Sequence, residues 1–209
     1  MGLQHTYRFI APFYDVAVAG ATAGLRRASL AHLGTGGLRV LVAGIGTGLD
    51  VPLLPTGNRY VGIDITPAML ARVPRTREDL TLVNGSVLDL PFRDAGFDAA
   101  VLHLILAVVP DPPRCLAEVE RVLAPGGRAL VVDKFLRPGE AAPLRRALNP
   151  LVSRIATRLD VVFEDALAAA PSLILESDEP ALPGGWFRRI RLVKQAAGAL
   201  AQRRSSAQR

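Results

Sequence analysis

Five short, continuously apolar runs punctuate the chain: Leu38–Ala43, Arg59–Asp64, Leu80–Asn84, Phe97–Leu102 and Arg128–Asp133. Runs without polar alternation suit strands buried on both faces of a parallel sheet. Between them, Pro67–Val73 and Pro112–Leu123 read as helices. Thr66 and Asp111 stand where N-caps belong, Pro67 takes the first helical position, and Pro125-Gly126-Gly127 stops the second helix. Strand alternating with helix predicts an α/β fold, a Rossmann-like doubly wound sheet. Residues 3–33 read as a helical cap, broken near Pro12 and eased by Gly20 and Gly24. Further helices are expected around 140–159 and 161–170. Leu173–Ser177 and Trp186–Val193 read as two late strands, one of them antiparallel. In the latter, Trp186, Ile190 and Leu192 share one face, and Phe187, Arg189, Arg191 and Val193 the other.

The 209 residues suffice for one domain with a full core, with 1–33 as its cap and 195–209 as a basic tail. Lys plus Arg exceed Asp plus Glu by 25 to 19. That excess suits an anionic partner such as a membrane surface, and equally suits a surface that simply favours Arg. The single cysteine, Cys115, excludes an internal disulfide, and no Cys/His cluster has zinc spacing, so no metal is expected. Cys115 shares a helical face with Leu116, Val119, Val122 and Leu123, as a core thiol does. Residues Met1–Arg8 lack the basic start and apolar core of a signal peptide. The longest apolar stretch, Ala99–Val109, is broken by His103 and is too short to span a bilayer. A cytoplasmic protein, soluble or peripheral to the membrane, is expected.

Gly44-Ile45-Gly46-Thr47-Gly48 follows the first strand directly. Glycines there turn tightly and let a ligand approach the backbone, and the amides beyond them suit an anionic group. Asp64 ends the second strand, one crossover later, where a carboxylate can accept both hydroxyls of a ribose. A nucleotide-type ligand is therefore expected.

From about residue 35 to 135 the chain resembles the class I S-adenosylmethionine (SAM)-dependent methyltransferases. The loop is G-x-G-T-G rather than the dinucleotide G-x-G-x-x-G. Tyr60–Leu70 looks like the family's second block, with Met69 against the adenine. Asn84–Phe92 with Gly96-Phe97-Asp98 looks like the third, and Val108–Pro112 and Arg121–Gly127 complete the series. The resemblance implies a SAM-dependent enzyme whose cofactor lies on Gly44, Ile45, Gly46, Gly48, Asp64, Ile65, Met69, Ser86, Val87 and His103. Two positions depart from the family. Val42 and Ser86 stand where acids are usual, and losing one charged contact costs about 1 to 3 kcal/mol.

Methyl transfer needs alignment of acceptor and methyl; a carbon or phenol acceptor also wants a general base, whereas an amine need only be deprotonated. Tyr14-Asp15 resembles the N-terminal segment of quinone C-methyltransferases and bacterial phospholipid N-methyltransferases, where such a Tyr closes over the cofactor. His103, at the carboxyl end of the fourth strand, is a candidate base or donor, or a hydrogen-bonded core histidine. Lys134, before Phe135, could meet a phosphate as a point charge. Arg145, Arg146, Arg154 and Arg158 with Leu148, Leu151, Val152 and Ile155 would form a basic amphipathic helix, suited to an anionic bilayer or to ordinary packing. No Asp/Asn-Pro-Pro-Tyr/Phe block follows the fourth strand, and the arginines are not interleaved with aromatics, so no nucleic-acid partner is expected. The expected acceptor is lipid-like or apolar, with Tyr14 and His103 as catalytic candidates and Tyr14 and Lys134 facing the substrate. Two readings stay beside it: a soluble metabolite as acceptor, and a SAM-fold binding or regulatory protein without turnover. The Pro-Gly-Gly block argues against a dehydrogenase.

Overall fold

The structure, a computed structural model, describes residue 20 and residues 22–136, 160–181 and 187–196. A cap helix, α1, covers 22–30. Strands β1 (Arg39–Ala43), β2 (Arg59–Asp64), β3 (Leu80–Asn84), β4 (Phe97–His103) and β5 (Leu123–Lys134) follow, then β6 (Leu173–Pro180) and β7 (Phe187–Lys194). Between them lie a 3-10 turn at Val51–Leu53 and the helices α2 (Pro67–Leu70), α3 (Pro112–Val122) and α4 (Phe163–Leu167). The seven strands form one sheet in the order β3-β2-β1-β4-β5-β7-β6. Strands β1 to β5 pair in parallel, and β7 runs antiparallel between β5 and β6. The chain reverses direction along the sheet between β1 and β4, which opens a crevice at their carboxyl ends.

Alternating side chains of each strand feed two layers. On β1, Leu41 and Ala43 join Ile63, Leu102, Leu116, Val119, Val131 and Phe163 on one side. Val40 and Val42 join Leu30, Leu33, Val51, Tyr60, Val101 and Leu130 on the other. Burial on both faces is what made these strands continuous apolar runs. Cys115 is fully buried in the first layer, and burial, with Asp111 and Glu118 nearby, pushes its thiol up to about 12. A thiol held there stays protonated and unreactive.

Two local expectations change and one is met. Thr66 sits at the N-cap of α2 but its side chain makes no cap bond; its amide donates instead to Asp64 Oδ1 at 2.9 Å. Asp111 does cap α3, accepting from the Arg114 amide at 3.0 Å. Helix α3 stops at Val122, and Pro125-Gly126-Gly127 lies inside the start of β5 as an irregularity, with Leu123 opposite Phe97 and Arg128 opposite Ala99. Proline without an amide proton and Gly126 at φ +79° suit a bulge as well as a helix stop.

On β7 the core-facing positions are Arg188, Ile190 and Leu192; Trp186 lies outside the described residues. Arg188 is a charge on an apolar face. Its guanidinium meets Glu164 of α4 and Asp178 of β6, each at 2.6 Å, and lies over the rings of Phe135 and Phe163 at 5.9 and 5.5 Å. Burial pulls its pKa down, and the two carboxylates outweigh that and raise it. The expected helix at 140–159 and the tail beyond 196 lie outside the described residues.

Candidate cofactor site and the buried network behind it

The glycine loop leaves β1 with Gly44, Gly46 and Gly48 all in the left-handed region, φ +67°, +55° and +84°. A side chain is strained there. A Cβ on Gly44 would run into Ile105, and one on Gly48 would come within 3.0 Å of Val73 and Pro74. A Cβ on Gly46 would meet only the Gly44 carbonyl, at 4.0 Å. Gly44 and Gly48 are thus needed for packing, while Gly46 borders open space. The Ile45 amide donates to the Ile63 carbonyl at 3.0 Å, and the Ile45 side chain lies against Gly62, filling the room that glycine leaves.

Asp64 ties the loop to β2. Its Oδ2 accepts from the Gly46 amide at 3.0 Å and its Oδ1 from Thr66. A carboxylate offers about four acceptor directions, so capacity remains for two ribose hydroxyls. Asn84, at the end of β3, donates to the Asp64 carbonyl at 2.9 Å, and the Gly85 amide donates to it at 3.1 Å. Ile65, beside Asp64, is 69% exposed, an apolar surface open to a planar ring. Met69 is half-buried on α2 and Val87 is buried. Ser86 shapes its turn by accepting from the Leu88 amide at 3.1 Å. The expected cofactor residues of the first three strands therefore converge at one end of the sheet. Spare acceptors on Asp64, open space over Gly46 and an uncovered apolar face at Ile65 fit an adenosine-bearing cofactor. A cleft of about 260 Å³ lies at the opposite, amino-terminal ends of β1, β4 and β5, between Leu33, Asp98 and Gly127, and none of the expected cofactor residues lines it.

His103 does not point at free space. Its Nδ1 lies 3.0 Å from Asp50 Oδ2 and its Nε2 3.0 Å from Ser29 Oγ. The other oxygen of Asp50 meets Arg26 Nη1 at 3.1 Å, and that nitrogen also donates to the Leu49 carbonyl at 2.5 Å. Arg26 Nε donates to Thr22 Oγ1 at 3.2 Å. All four residues, Arg26, Ser29, Asp50 and His103, are buried. Burial pushes the Asp50 carboxyl up, and His103 and Arg26 outweigh it, holding it below the usual carboxylate range. Both ring nitrogens of His103 are thus engaged by protein groups, as in the hydrogen-bonded core histidine that was one of the two roles expected for it. Val42 is buried in the layer that includes Leu30 of α1, and Asp50, on the turn after the glycine loop, is buried as well.

Asp133, at the end of β5, is a second buried carboxylate. It accepts from the amides of Ala107 at 2.9 Å and Lys134 at 2.8 Å, pinning the turn after β4, where Leu104 has φ +60°. Burial pushes its carboxyl up to about 6, against the pull of those amides and of the Lys134 charge. A folded pKa above the unfolded one lends stability that is full below the unfolded carboxylate range and lost as pH rises through about 6. Asp133→Asn removes this dependence. The stability of wild type relative to Asp133→Asn should therefore improve by about 2 kcal/mol between pH 7.5 and pH 4. Urea melts of both proteins across that range check it; a constant difference would clear Asp133 of the titration.

Lys134 is half-buried at the edge of the same crevice, with its backbone opposite Phe187. Tyr14 and the arginines at 145, 146, 154 and 158 lie outside the described residues. Sequence reasoning missed Arg26, Ser29, Asp50, Asn84 and Asp133. The available signal was the isolated polar residue in apolar surroundings: Asp50 directly after the glycine loop, and Asp133 closing the fifth run.

Comparison with known proteins agrees with this geometry. Residues 41–131 match the methyltransferase domain family. A phosphatidylethanolamine N-methyltransferase of Cereibacter sphaeroides is 32% identical over 189 residues, covering 87% of this chain and 93% of that protein. A demethylmenaquinone methyltransferase of Renibacterium salmoninarum is 37% identical over 135 residues, covering 62% of this chain and 56% of that protein. Among solved structures, the YcgJ protein of Bacillus subtilis superposes with a TM-score of 0.69 at 18% identity, over 85% of this chain and all of that one, which shows the shared fold. With this fold, a glycine loop closed by Asp64 and a relative matched nearly end to end, the chain belongs to the class I SAM-dependent methyltransferases.

Proposed function

We propose that the enzyme methylates a lipid-like acceptor, with a phospholipid amine as the leading candidate and a quinone-type ring as the second. The observation that carries this is the length of the match: the phospholipid enzyme is covered over 93% of its length, the menaquinone enzyme over 56%. The commitment of His103 to Asp50 and Ser29 favours the amine as well. Ring carbon needs help losing a proton, whereas a neutral amine attacks unaided.

Bound SAM supplies an electrophilic methyl group on a sulfonium. The chain's part is placement. Asp64 and the glycine loop 44–48 hold the nucleoside end, Met69, Ile65 and Val87 flank the ring, and Ser86 lies beside it. Tyr14 closes the site, and Lys134 meets the acceptor's phosphate as a point charge. The basic stretch 140–159 suits the anionic inner face of the membrane, where a lipid substrate lies. No helix among the described residues is long and apolar enough to cross a bilayer.

The test is transfer of a labelled methyl from SAM, offered together to phosphatidylethanolamine vesicles, a demethylated quinol in detergent micelles, and water-soluble amines. Label in the phospholipid is the expected result. Label confined to the quinol selects the second acceptor, and label confined to soluble amines sinks the lipid reading. SAM binding with no label anywhere selects a binding or regulatory protein.

A further inference from the structure

We propose that Arg26, Ser29, Asp50 and His103 form a clasp that fastens the cap helix to the cofactor loop, making His103 a positioning residue for SAM binding. Three elements meet in it. Helix α1 contributes Arg26 and Ser29, the turn leaving the glycine loop contributes Asp50, and the last residue of β4 is His103. The clasp is fully internal: the side chains of Arg26 and His103 are 4% and 1% exposed, and that of Asp50 is 10%.

Each member has a partner suited to it. Asp50 presents one oxygen to Arg26 and the other to His103. Arg26 also holds the Leu49 carbonyl, which lies directly after Gly48. Ser29, as donor and acceptor, can serve His103 in either protonation state. A buried network satisfied in this way fixes one geometry, because losing any member leaves a desolvated group unpaired. The geometry it fixes is the distance of α1 from the loop that turns around Gly46. Gly46 is in turn held by Asp64. The same loop therefore bears the cofactor's nucleoside on one side and the cap helix on the other. Ordering by ligand should pass from one to the other through Asp50.

This inference rests on the SAM-dependent assignment, and its test needs no methyl acceptor. Titration calorimetry gives the affinity of SAM and of its demethylated product, and hydrogen exchange reads the amides of 22–30 with and without SAM. In the wild type, SAM should slow exchange across 22–30. Ser29→Ala and His103→Asn should each weaken SAM and its product in parallel by about tenfold. Both should also abolish the SAM-induced protection of 22–30 while the amides of β1 and β4 stay protected. Should His103→Asn fail to fold, Ser29→Ala carries the test, since it removes one hydroxyl and no volume of consequence. Unchanged affinity together with retained helix protection in the variants overturns the clasp. Failure of the wild type itself to bind SAM would strike the cofactor assignment and not the clasp alone.

Discussion

Asp64→Ala should weaken SAM binding by about a hundredfold or more, the largest loss of any single substitution at the site. Each charge-assisted hydrogen bond to a ribose hydroxyl is worth about 1.5 to 3 kcal/mol. Two go at once. The substitution also frees the Gly46 and Thr66 amides, both held by this carboxylate. The loop then loses the tie that keeps its amides at the end of β2. Asp64→Asn keeps one acceptor oxygen and should lose about tenfold, the equivalent of one such bond. Calorimetric titration of SAM separates the three proteins. The half-buried position predicts a melting temperature close to that of the wild type. Wild-type affinity in Asp64→Ala would mean that the cofactor is held elsewhere.

Arg188→Ala should cost about 3 kcal/mol of unfolding free energy, the low end of what breaking a buried ion pair costs. The low end applies because Glu164 is 39% and Asp178 22% exposed, so both can partly rehydrate once the cation is gone. The guanidinium's contact with Phe135 and Phe163 is lost too. Arg188→Met keeps the apolar stem and should cost about half as much. Equilibrium urea unfolding at neutral pH gives both values. A loss below about 0.5 kcal/mol in Arg188→Ala would mean that desolvation cancels the ion pairs, as it can.

Local chemistry was legible in the chain; long-range pairing was not. Leu41, Ile63, Val101 and Val131 announced buried strands because both faces of the sheet are covered. The glycine loop and Asp64 could be read from neighbouring residues alone, and a hydrogen bond joins them. The clasp could not. Asp50 reaches Arg26 and His103, which lie 24 and 53 residues away, and His103 reaches Ser29 across 74. A lone histidine between Leu102 and Leu104 gives no sign of whether its partners are ligand or protein. Arg188 was invisible for a related reason. Its neutralising acids come from α4 and β6, and a single charge in an alternating strand reads as solvent-facing until those are in place. Thr66 carried a genuine capping signal, but Asp64, already turned inward for the loop, took the Thr66 amide first.

The place of β7 in the sheet bears on how the protein is made. β6 is synthesised before β7 yet, among the described strands, pairs only with β7, which must slip between it and β5. Until residue 194 has left the ribosome, the nascent sheet ends on the bare edge of β5, with Leu130, Val131 and Val132 unpaired on that side. An open apolar edge is a template for pairing with another chain. Nascent chains stalled before Phe187 therefore carry an edge open to mispairing, and β7 is the described strand that seals it.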